Sequence, residues 1–207
     1  MSTPAQIPED YGTRALHVPG AWAARLSPHH DERGSFVEWL READMRERGT
    51  TVTAAQANCS ISRRGVIRGI HFTDVPPGQA KYVMGVAGEV LDVVVDLRVG
   101  SPTFGEWDAV RLGVEKWTAV YMPEGVGHAF MALSEQATVI YICSAAYEAG
   151  RERAVDPLDP QLGLPWPADI DPILSARDRA APSLRTALAQ GMLPRFEHCC
   201  PGAGRSG

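Results

Sequence analysis

The residues best suited to acid–base chemistry lie in the segment Gly65–Phe72. It carries Arg68 and His71, and an unbroken strand would aim these two side chains at opposite faces because their spacing is odd. Gly69 lies between them, where a β-bulge would re-aim one of the two. An imidazole titrates near neutral pH, so His71 could take up a proton from a substrate. The alternative is a structural histidine that hydrogen-bonds within its strand.

Three further polar or titratable residues border or interrupt apolar segments. Lys81 begins an apolar strand after a Pro- and Gly-rich turn, His128 follows a Gly-rich turn, and Tyr141 lies in a strand that is apolar on both faces. A buried tyrosine needs a partner for its hydroxyl group. Lys81 could be a solvated strand-end residue. If instead it converges with Arg68 and His71, the three groups need a negatively charged or enolising ligand between them.

A row of polar side chains alternates along residues 56–61. Gln56, Asn58 and Ser60 share one face of this predicted strand, and small or apolar side chains share the other face. A polar row is typical of the solvent-facing side of a sheet, in which case the neighbouring Cys59 is a small core residue. The alternative is the inside of a β-barrel that holds a polar ligand.

Composition and motifs argue against several function classes. The 207 residues include 20 basic and 25 acidic side chains, a formal charge of −5 that argues against nucleic-acid binding. No apolar run approaches the roughly 20 residues of a membrane span, and the N-terminus has no signal-peptide pattern. We therefore expect a cytoplasmic protein with no nucleic-acid or membrane partner. The sequence has no HExxH, GxSxG, P-loop or Rossmann motif, and its histidines lack metal-ligand spacing.

The four cysteines suggest no metal or redox site. Cys143, like Cys59, lies in an apolar or alternating segment and is expected in the core. Cys199 and Cys200 are adjacent and form no CxxC pair, so no function is assigned to them.

Many short strands separated by turns predict a single, mainly β domain over residues 1–207. Glycine and proline are frequent, with 20 and 16 residues, and the Val-, Ile- and aromatic-rich segments recur at a spacing typical of a sandwich or barrel. We predict strands at Phe36–Leu40, Thr51–Ile61, Gly65–Phe72, Lys81–Ala87, Glu89–Leu97, Trp107–Leu112, Trp117–Met122, Ala129–Leu133 and Ala137–Cys143. Short helices are predicted at Arg41–Arg48 and Ser183–Gln190, a surface loop at Asp156–Pro172 and a disordered tail at Pro201–Gly207.

Several sequence blocks, taken together, resemble the dTDP-4-dehydrorhamnose 3,5-epimerase family. The most specific are Arg68-Gly-Ile-His71, Gly100-Ser-Pro-Thr-Phe-Gly105 and Pro123-Glu-Gly-Val-Gly-His128. They are accompanied by Asp31–Gly34, Gln56–Asn58, Gln79–Lys81, Gly88–Arg98 and Leu174–Asp178, in family order, from about Gly20 to Pro194. The resemblance implies a cupin-type jelly-roll barrel with short flanking helices that forms a homodimer and needs no metal or other cofactor.

The implied substrate is a dTDP-4-keto-6-deoxyhexose. A proton on C3 or C5 of this sugar lies next to the C4 ketone, so its removal gives an enolate, and reprotonation from the other face inverts the carbon. This chemistry needs a base, an acid on the opposite face, and a cation or hydrogen-bond donor near the ketone oxygen.

The family pattern assigns these roles residue by residue. His71 matches the general base, Asp178 the carboxylate that orients it, Lys81 the cation beside the enolate, and Tyr141 the acid. Positions that match substrate-binding residues are Arg33, Glu38, Gln56, Asn58, Arg68, His128, Glu152 and Arg177. Arginine suits the diphosphate because its guanidinium makes forked, charge-assisted hydrogen bonds. The resemblance also implies that a segment containing Arg33 reaches into the pocket of the partner subunit.

Two positions depart from the family pattern and leave the exact reaction open. Arg177 stands where lysine is frequent, and Ala146-Tyr147 stands where many members have two tyrosines. The leading hypothesis is inversion at both C3 and C5, giving dTDP-4-dehydro-L-rhamnose. The nearest alternative is a mono-epimerase that acts at C3 or C5 in the biosynthesis of a natural-product deoxysugar. A non-catalytic cupin that binds a small molecule and a metal-dependent cupin dioxygenase are further alternatives.

Overall fold

Two antiparallel sheets form the framework of the computed structural model, which describes residues 12–50 and 53–199. The strands in this part of the chain are β1 (Thr13–Ala15), β2 (Trp22–Arg25), β3 (His29–Asp31), β4 (Gly34–Phe36), β5 (Gln56–Arg63), β6 (Ile67–Thr73), β7 (Lys81–Ala87), β8 (Glu89–Asp96), β9 (Trp107–Gly113), β10 (Thr118–Met122), β11 (Val126–Ala132), β12 (Gln136–Cys143) and β13 (Glu152–Ala154). The helices are α1 (Glu42–Glu47), α2 (Ala176–Arg179), α3 (Leu184–Ala189) and α4 (Phe196–Cys199).

The strand order explains which residues can meet. The larger sheet has the order β1-β2-β10-β7-β12-β5, and the smaller sheet has the order β13-β6-β11-β8-β9. Strands β3 and β4 form a separate hairpin. The mainly β fold with short helices is therefore confirmed. None of the helices within the described residues is long and apolar enough to cross a membrane.

Three apolar layers hold the two sheets and their coverings together. The middle layer lies between the sheets and includes Val83 and Val139 of the larger sheet and Val94 and Phe130 of the smaller one. The outer face of the smaller sheet packs against the C-terminal segments in a second cluster that includes Leu162 and Leu184, and the outer face of the larger sheet packs against residues around α1 in a third. Central strands are consequently buried on both faces, which explains their continuous apolar runs.

Strand β8 ends in a buried ion pair that is fully hydrogen-bonded at its carboxylate. Asp96 accepts hydrogen bonds from the backbone N–H and guanidinium of Arg98 and from the hydroxyl groups of Ser101 and Thr103. Burial alone raises the pKa of Asp96, but these donors outweigh it and hold the pKa below its ordinary value. This cluster is a structural use of buried charge, and none of these hydrogen bonds involves a histidine.

The predicted central strands and the C-terminal helix are confirmed, with small shifts at their ends. Ser183 caps α3, because its hydroxyl accepts a hydrogen bond from the Thr186 N–H. The strand prediction at Phe36–Leu40 is wrong beyond Phe36, because the chain there leaves the β3–β4 hairpin and packs against the outer face of the larger sheet. Strand β5 begins only at Gln56, and residues 51 and 52 of that prediction lie outside the described part, as do Cys200 and the predicted tail.

The short strands β1, β2, β3 and β13 were not predicted from the sequence. Each has only three or four residues, too few for an alternating pattern to be visible. The Asp156–Pro172 segment has no helix or strand, as predicted, and its Leu162, Leu164 and Trp166 pack onto the smaller sheet.

A β-bulge in β6 places Arg68 and His71 on the same face. His71 is opposite His128 of β11, yet Arg68 is opposite Phe130, so three residues of β6 span two of β11. Gly69 makes this possible: its φ is +132°, and a Cβ atom there would lie 2.4 Å from the Ala129 Cβ. The bulge expected from the sequence is therefore present.

We predict that Gly69→Ala destabilises the fold strongly. The added methyl group meets both a strained φ and the backbone of β11, which together should cost about 2–5 kcal/mol of unfolding free energy. Gly100→Ala is the matched control, because Gly100 has a φ of +90° but open space around it, so that only strain of about 1–2 kcal/mol is expected. Urea unfolding of both variants measures the difference, and equal losses would contradict the close approach.

Candidate active site

A histidine–aspartate pair lies on the inner face of the smaller sheet. The Nε2 atom of His71 is 2.6 Å from the Oδ1 atom of Asp178. The Asp178 side chain is 5% exposed, while that of His71 is 30% exposed and hence accessible from the barrel interior. Ser175 caps the short helix α2 by accepting the Asp178 N–H, and thereby helps to fix the carboxylate.

The environment of Asp178 keeps it ionised. Burial alone raises its pKa, but the hydrogen bond and charge of His71, the hydrogen bond with Ser175 and the charge of Arg177 outweigh burial and lower the pKa. An ionised carboxylate only accepts hydrogen bonds, so the Nε2 atom of His71 carries a proton and Nδ1 is the nitrogen left for a substrate. The pair thus has the arrangement of an oriented general base.

Tyr141 and Lys81 occupy the inner face of the larger sheet. Tyr141 of β12 packs against the apolar layer between the sheets, and burial raises the pKa of its hydroxyl group. Lys81 begins β7 and is buried, so it is not a solvated strand-end residue. Burial lowers the pKa of the Lys81 ammonium, partly offset by the negative charges of Glu152 and Asp92.

Cys143 lies beside Lys81 and connects it to the polar row of β5. It is opposite Lys81 in the β7–β12 register, and the Asn58 amide donates to its sulfur at 3.7 Å. Burial raises the pKa of the Cys143 thiol. Its predicted core position is confirmed, although no sequence pattern places it next to a lysine. The prediction for Cys59 is wrong, because Cys59 points outward from β5 and is exposed.

The polar row of β5 faces the inside of the barrel. Gln56 and Asn58 are half-buried, and the Gln56 amide donates to the Asn58 Oδ1 atom at 2.8 Å. The Gln56 Oε1 atom accepts the backbone N–H of Tyr147. Of the two interpretations of this row, the solvent-facing one is therefore wrong and the barrel interior is correct, because the opposite face of β5, with Ile61 60% exposed, is the one that meets solvent.

Two arginines and one glutamate complete this side of the barrel. Arg68 reaches across to the larger sheet, where its Nε donates to the Ser62 hydroxyl at 3.0 Å. The Glu152 carboxylate accepts the Thr73 hydroxyl at 2.8 Å and is close enough to both Lys81 and Tyr141 to influence their pKa values. The Arg177 guanidinium donates to the backbone carbonyl of Glu152.

His128 forms a second histidine–aspartate pair next to the first. Its Nε2 atom is 2.6 Å from the Oδ2 atom of Asp92, and both side chains are buried. Asp92 was not among the site residues predicted from the sequence. Its signal was a lone acidic residue within the apolar run of β8.

Two predicted substrate-binding residues lie apart from this cluster. Arg33 belongs to the β3–β4 hairpin, where it is exposed and pairs with Asp31, and Glu38 is also exposed. The hairpin pairs with neither large sheet, so the fold of one chain does not bring Arg33 to His71. Within residues 12–50 and 53–199 there is no group of three or more His, Cys, Asp or Glu side chains that could hold a metal ion.

Comparison with known proteins decides the family. The family model described as dTDP-4-dehydrorhamnose 3,5-epimerase matches residues 15–186. The chain belongs to this epimerase family. It is accordingly an isomerase, and the resemblance seen in the sequence is confirmed. The 3,5-epimerase of Mycolicibacterium smegmatis is 51% identical over 187 residues, which cover 90% of this chain and 92% of that protein.

Solved structures of relatives confirm the jelly-roll fold of this epimerase. The rmlC epimerase of Mycobacterium tuberculosis superposes with a TM-score of 0.88 at 47% identity, covering 90% of this chain and 95% of that one. A 3′-monoepimerase from Streptomyces bikiniensis, in complex with dTDP-quinovose, superposes with a TM-score of 0.86 at 49% identity, covering 88% and 93%. Relatives at similar identity thus invert either one carbon or two.

Proposed function

We propose that this epimerase acts on dTDP-4-dehydro-6-deoxy-D-glucose and inverts C3 and C5 to give dTDP-4-dehydro-L-rhamnose. One observation carries the epimerisation: His71 and Tyr141 lie on the inner faces of opposite sheets, so a base and an acid approach the barrel interior from two sides. Inversion at carbon requires this arrangement, since the proton must leave one face and return to the other. The cytoplasmic location expected from the sequence remains part of this proposal.

The proposed step begins with proton transfer from carbon to the Nδ1 atom of His71. The electron pair of the C–H bond forms a C=C bond to C4, and the C4 carbonyl bond becomes an enolate oxygen. Lys81, as an ammonium group in a water-poor site, stabilises that negative charge. Tyr141 then donates its hydroxyl proton to the opposite face of the carbon, and the C4 ketone re-forms. His71 releases its extra proton to solvent and Tyr141 takes one up from solvent, which resets both groups.

Asp178 and Glu152 support these groups electrostatically. The Asp178 carboxylate orients His71 and stabilises the imidazolium that forms when the base accepts the proton. Glu152 lies near Lys81, and its negative charge raises the pKa of the buried ammonium toward the charged form that the enolate requires.

The remaining polar residues suit the dTDP part of the substrate. Arg68 and Arg177 supply guanidinium groups for the diphosphate, and Gln56 and Asn58 supply amides along the inner face of β5. This assignment accords with the relative from Streptomyces bikiniensis that was solved with dTDP-quinovose. We propose that the nucleotide occupies the end of the barrel formed by these residues.

A second candidate is inversion at C3 alone. It is favoured by the dTDP-4-dehydro-6-deoxyglucose 3-epimerase of Streptomyces bikiniensis, which is 49% identical over 183 residues. The same base, acid and cation serve both reactions, so the distinction depends on which carbons exchange their protons.

The active form is proposed to be a homodimer whose hairpins complete the partner's sites. Strand β5 is the edge of the larger sheet, and its outward face carries Ala57, Cys59 and Ile61, all exposed. Phe36 is 66% exposed at the end of the β3–β4 hairpin that carries Arg33. A second copy would bury these apolar side chains and could receive Arg33 in its pocket.

Incubation with dTDP-4-dehydro-6-deoxyglucose in D₂O, followed by reduction of the ketone and NMR, tests the reaction. We expect deuterium at both C3 and C5 of an L-sugar. Label and inversion at C3 alone would establish the mono-epimerase instead. Wild-type protein that introduces no label at either carbon would overturn the epimerase activity on this substrate.

The base is tested in the same assay with His71→Ala. Loss of the general base should lower the rate of label incorporation by about 10²–10⁴-fold while dTDP binding, measured by calorimetry, is retained. His198→Ala, at an exposed histidine of α4, is the matched control and should keep full activity. Equal activity of the two variants would disprove the assignment of His71.

We predict that the alkaline limb of kcat/KM belongs to Lys81. Burial lowers the pKa of Lys81 and raises that of Tyr141, so the lysine loses its proton first as the pH rises. As the pH rises, kcat/KM should therefore begin to fall at a pH below 10.5, the ordinary pKa of lysine. Lys81→Arg should move this limb to higher pH because guanidinium stays charged, whereas Lys116→Arg, at the other lysine of the chain, should not. An unmoved limb in Lys81→Arg would contradict the prediction.

Dimerisation is tested by sedimentation velocity at micromolar concentration. Ile61→Glu places a charge in the exposed apolar row of β5 and should give a monomer, whereas Leu158→Glu adds the same charge at an exposed leucine elsewhere and should leave the dimer intact. A monomeric wild-type protein would rule out the proposed assembly.

A further inference from the structure

Asp92 is buried in a position that packing does not explain. It lies on the inner face of β8 between Val90 and Val94, which belong to the apolar layer between the sheets, and it is 1% exposed. Its Oδ2 atom meets His128, but its Oδ1 atom is buried without a hydrogen-bond partner. An under-paired buried carboxylate is destabilising, and an apolar side chain would fill this position better.

Asp96, on the same face of the same strand, shows what a structural carboxylate looks like in this fold. Both of its oxygen atoms accept hydrogen bonds, from Arg98, Ser101 and Thr103. Asp92 has a single partner instead, and that partner is a histidine of the candidate site. The contrast indicates that the role of Asp92 lies in its contact with His128.

The position of His128 makes its orientation important to the reaction. It is directly opposite His71 in the β6–β11 register, so both imidazoles lie on the inner face of the smaller sheet. Because the Asp92 carboxylate can only accept, the Nε2 atom of His128 carries a proton. The Nδ1 atom has no partner among the described residues, and in the neutral ring it accepts hydrogen bonds.

We propose that Asp92 is a positioning residue that fixes the ring and tautomer of His128, so that Nδ1 accepts a hydrogen bond from a hydroxyl group of the bound sugar. The inference rests on the proposed function, because the sugar is the substrate assigned above. Without the carboxylate, the imidazole is free to rotate and to exchange tautomers, and the sugar loses a fixed acceptor beside the base.

Asp92→Asn, His128→Gln and the double variant test the proposal by steady-state kinetics on the same substrate. Loss of the charged hydrogen bond should lower kcat/KM about 10- to 100-fold in Asp92→Asn. The double variant should be no worse than His128→Gln alone, because Asp92 acts through His128 and its charge affects the pKa of Lys81 less than that of Glu152 does. Additive losses, or a kcat/KM of Asp92→Asn within twofold of the wild type, would overturn the proposal.

Asp96→Asn is the matched control for removing a buried carboxylate from β8. It should lower the midpoint of urea unfolding while leaving kcat/KM of the folded enzyme unchanged. If Asp92→Asn also lowers the urea midpoint and leaves kcat/KM unchanged, the role of Asp92 is structural and the proposal is wrong.

A spectroscopic measurement tests the same point without turnover. In ¹⁵N-histidine NMR, with His128 assigned from its loss in His128→Gln, the wild-type ring should be a single tautomer protonated at Nε2, and Asp92→Asn should show a tautomer mixture. A wild-type mixture would overturn the proposal. Because this experiment needs no substrate, a failed deuterium experiment on the wild type would count against the proposed function alone.

Discussion

A strand presents only every second side chain to the space between the two sheets, and the site depends on how this fold meets that constraint. In β5 the alternation is obeyed, so Gln56 and Asn58 turn inward together and Ile61 faces outward. In β6 it is broken at Gly69, where the bulge brings Arg68 to the face of His71. The close approach of β11 at Gly69 leaves no room for a side chain, so one glycine controls the composition of the site.

The site also has to keep charged groups in an apolar environment. Burial favours the neutral form of every titratable group, so it lowers the pKa of Lys81 and raises that of Tyr141. The same burial helps the tyrosine to keep its proton and promotes deprotonation of the lysine ammonium. Nearby carboxylates counteract the second effect without having to contact the ammonium, and their attraction is screened less at the buried Lys81 than it would be at the surface.

Local patterns predicted much of the framework, because β7 to β12 have long apolar or alternating segments and α3 has a serine cap. The family resemblance then indicated His71 and Asp178, whose pairing no local pattern reveals. Three features were beyond the sequence for physical reasons. The direction of the polar row in β5 depends on which face the second sheet covers, the burial of Lys81 depends on Cys143 and β12, and Asp92 gains its partner only through the register of β8 with β11.

The two members of the His71–Asp178 pair are separated by 107 residues of sequence. The described strands all precede α2 in the chain, so the sheets carry the histidine and a later segment supplies the aspartate. The carboxylate reaches His71 only when this later segment packs beside β6, where Ile173 bridges to Val66. Competence for proton transfer therefore reports that the segment has docked on the smaller sheet.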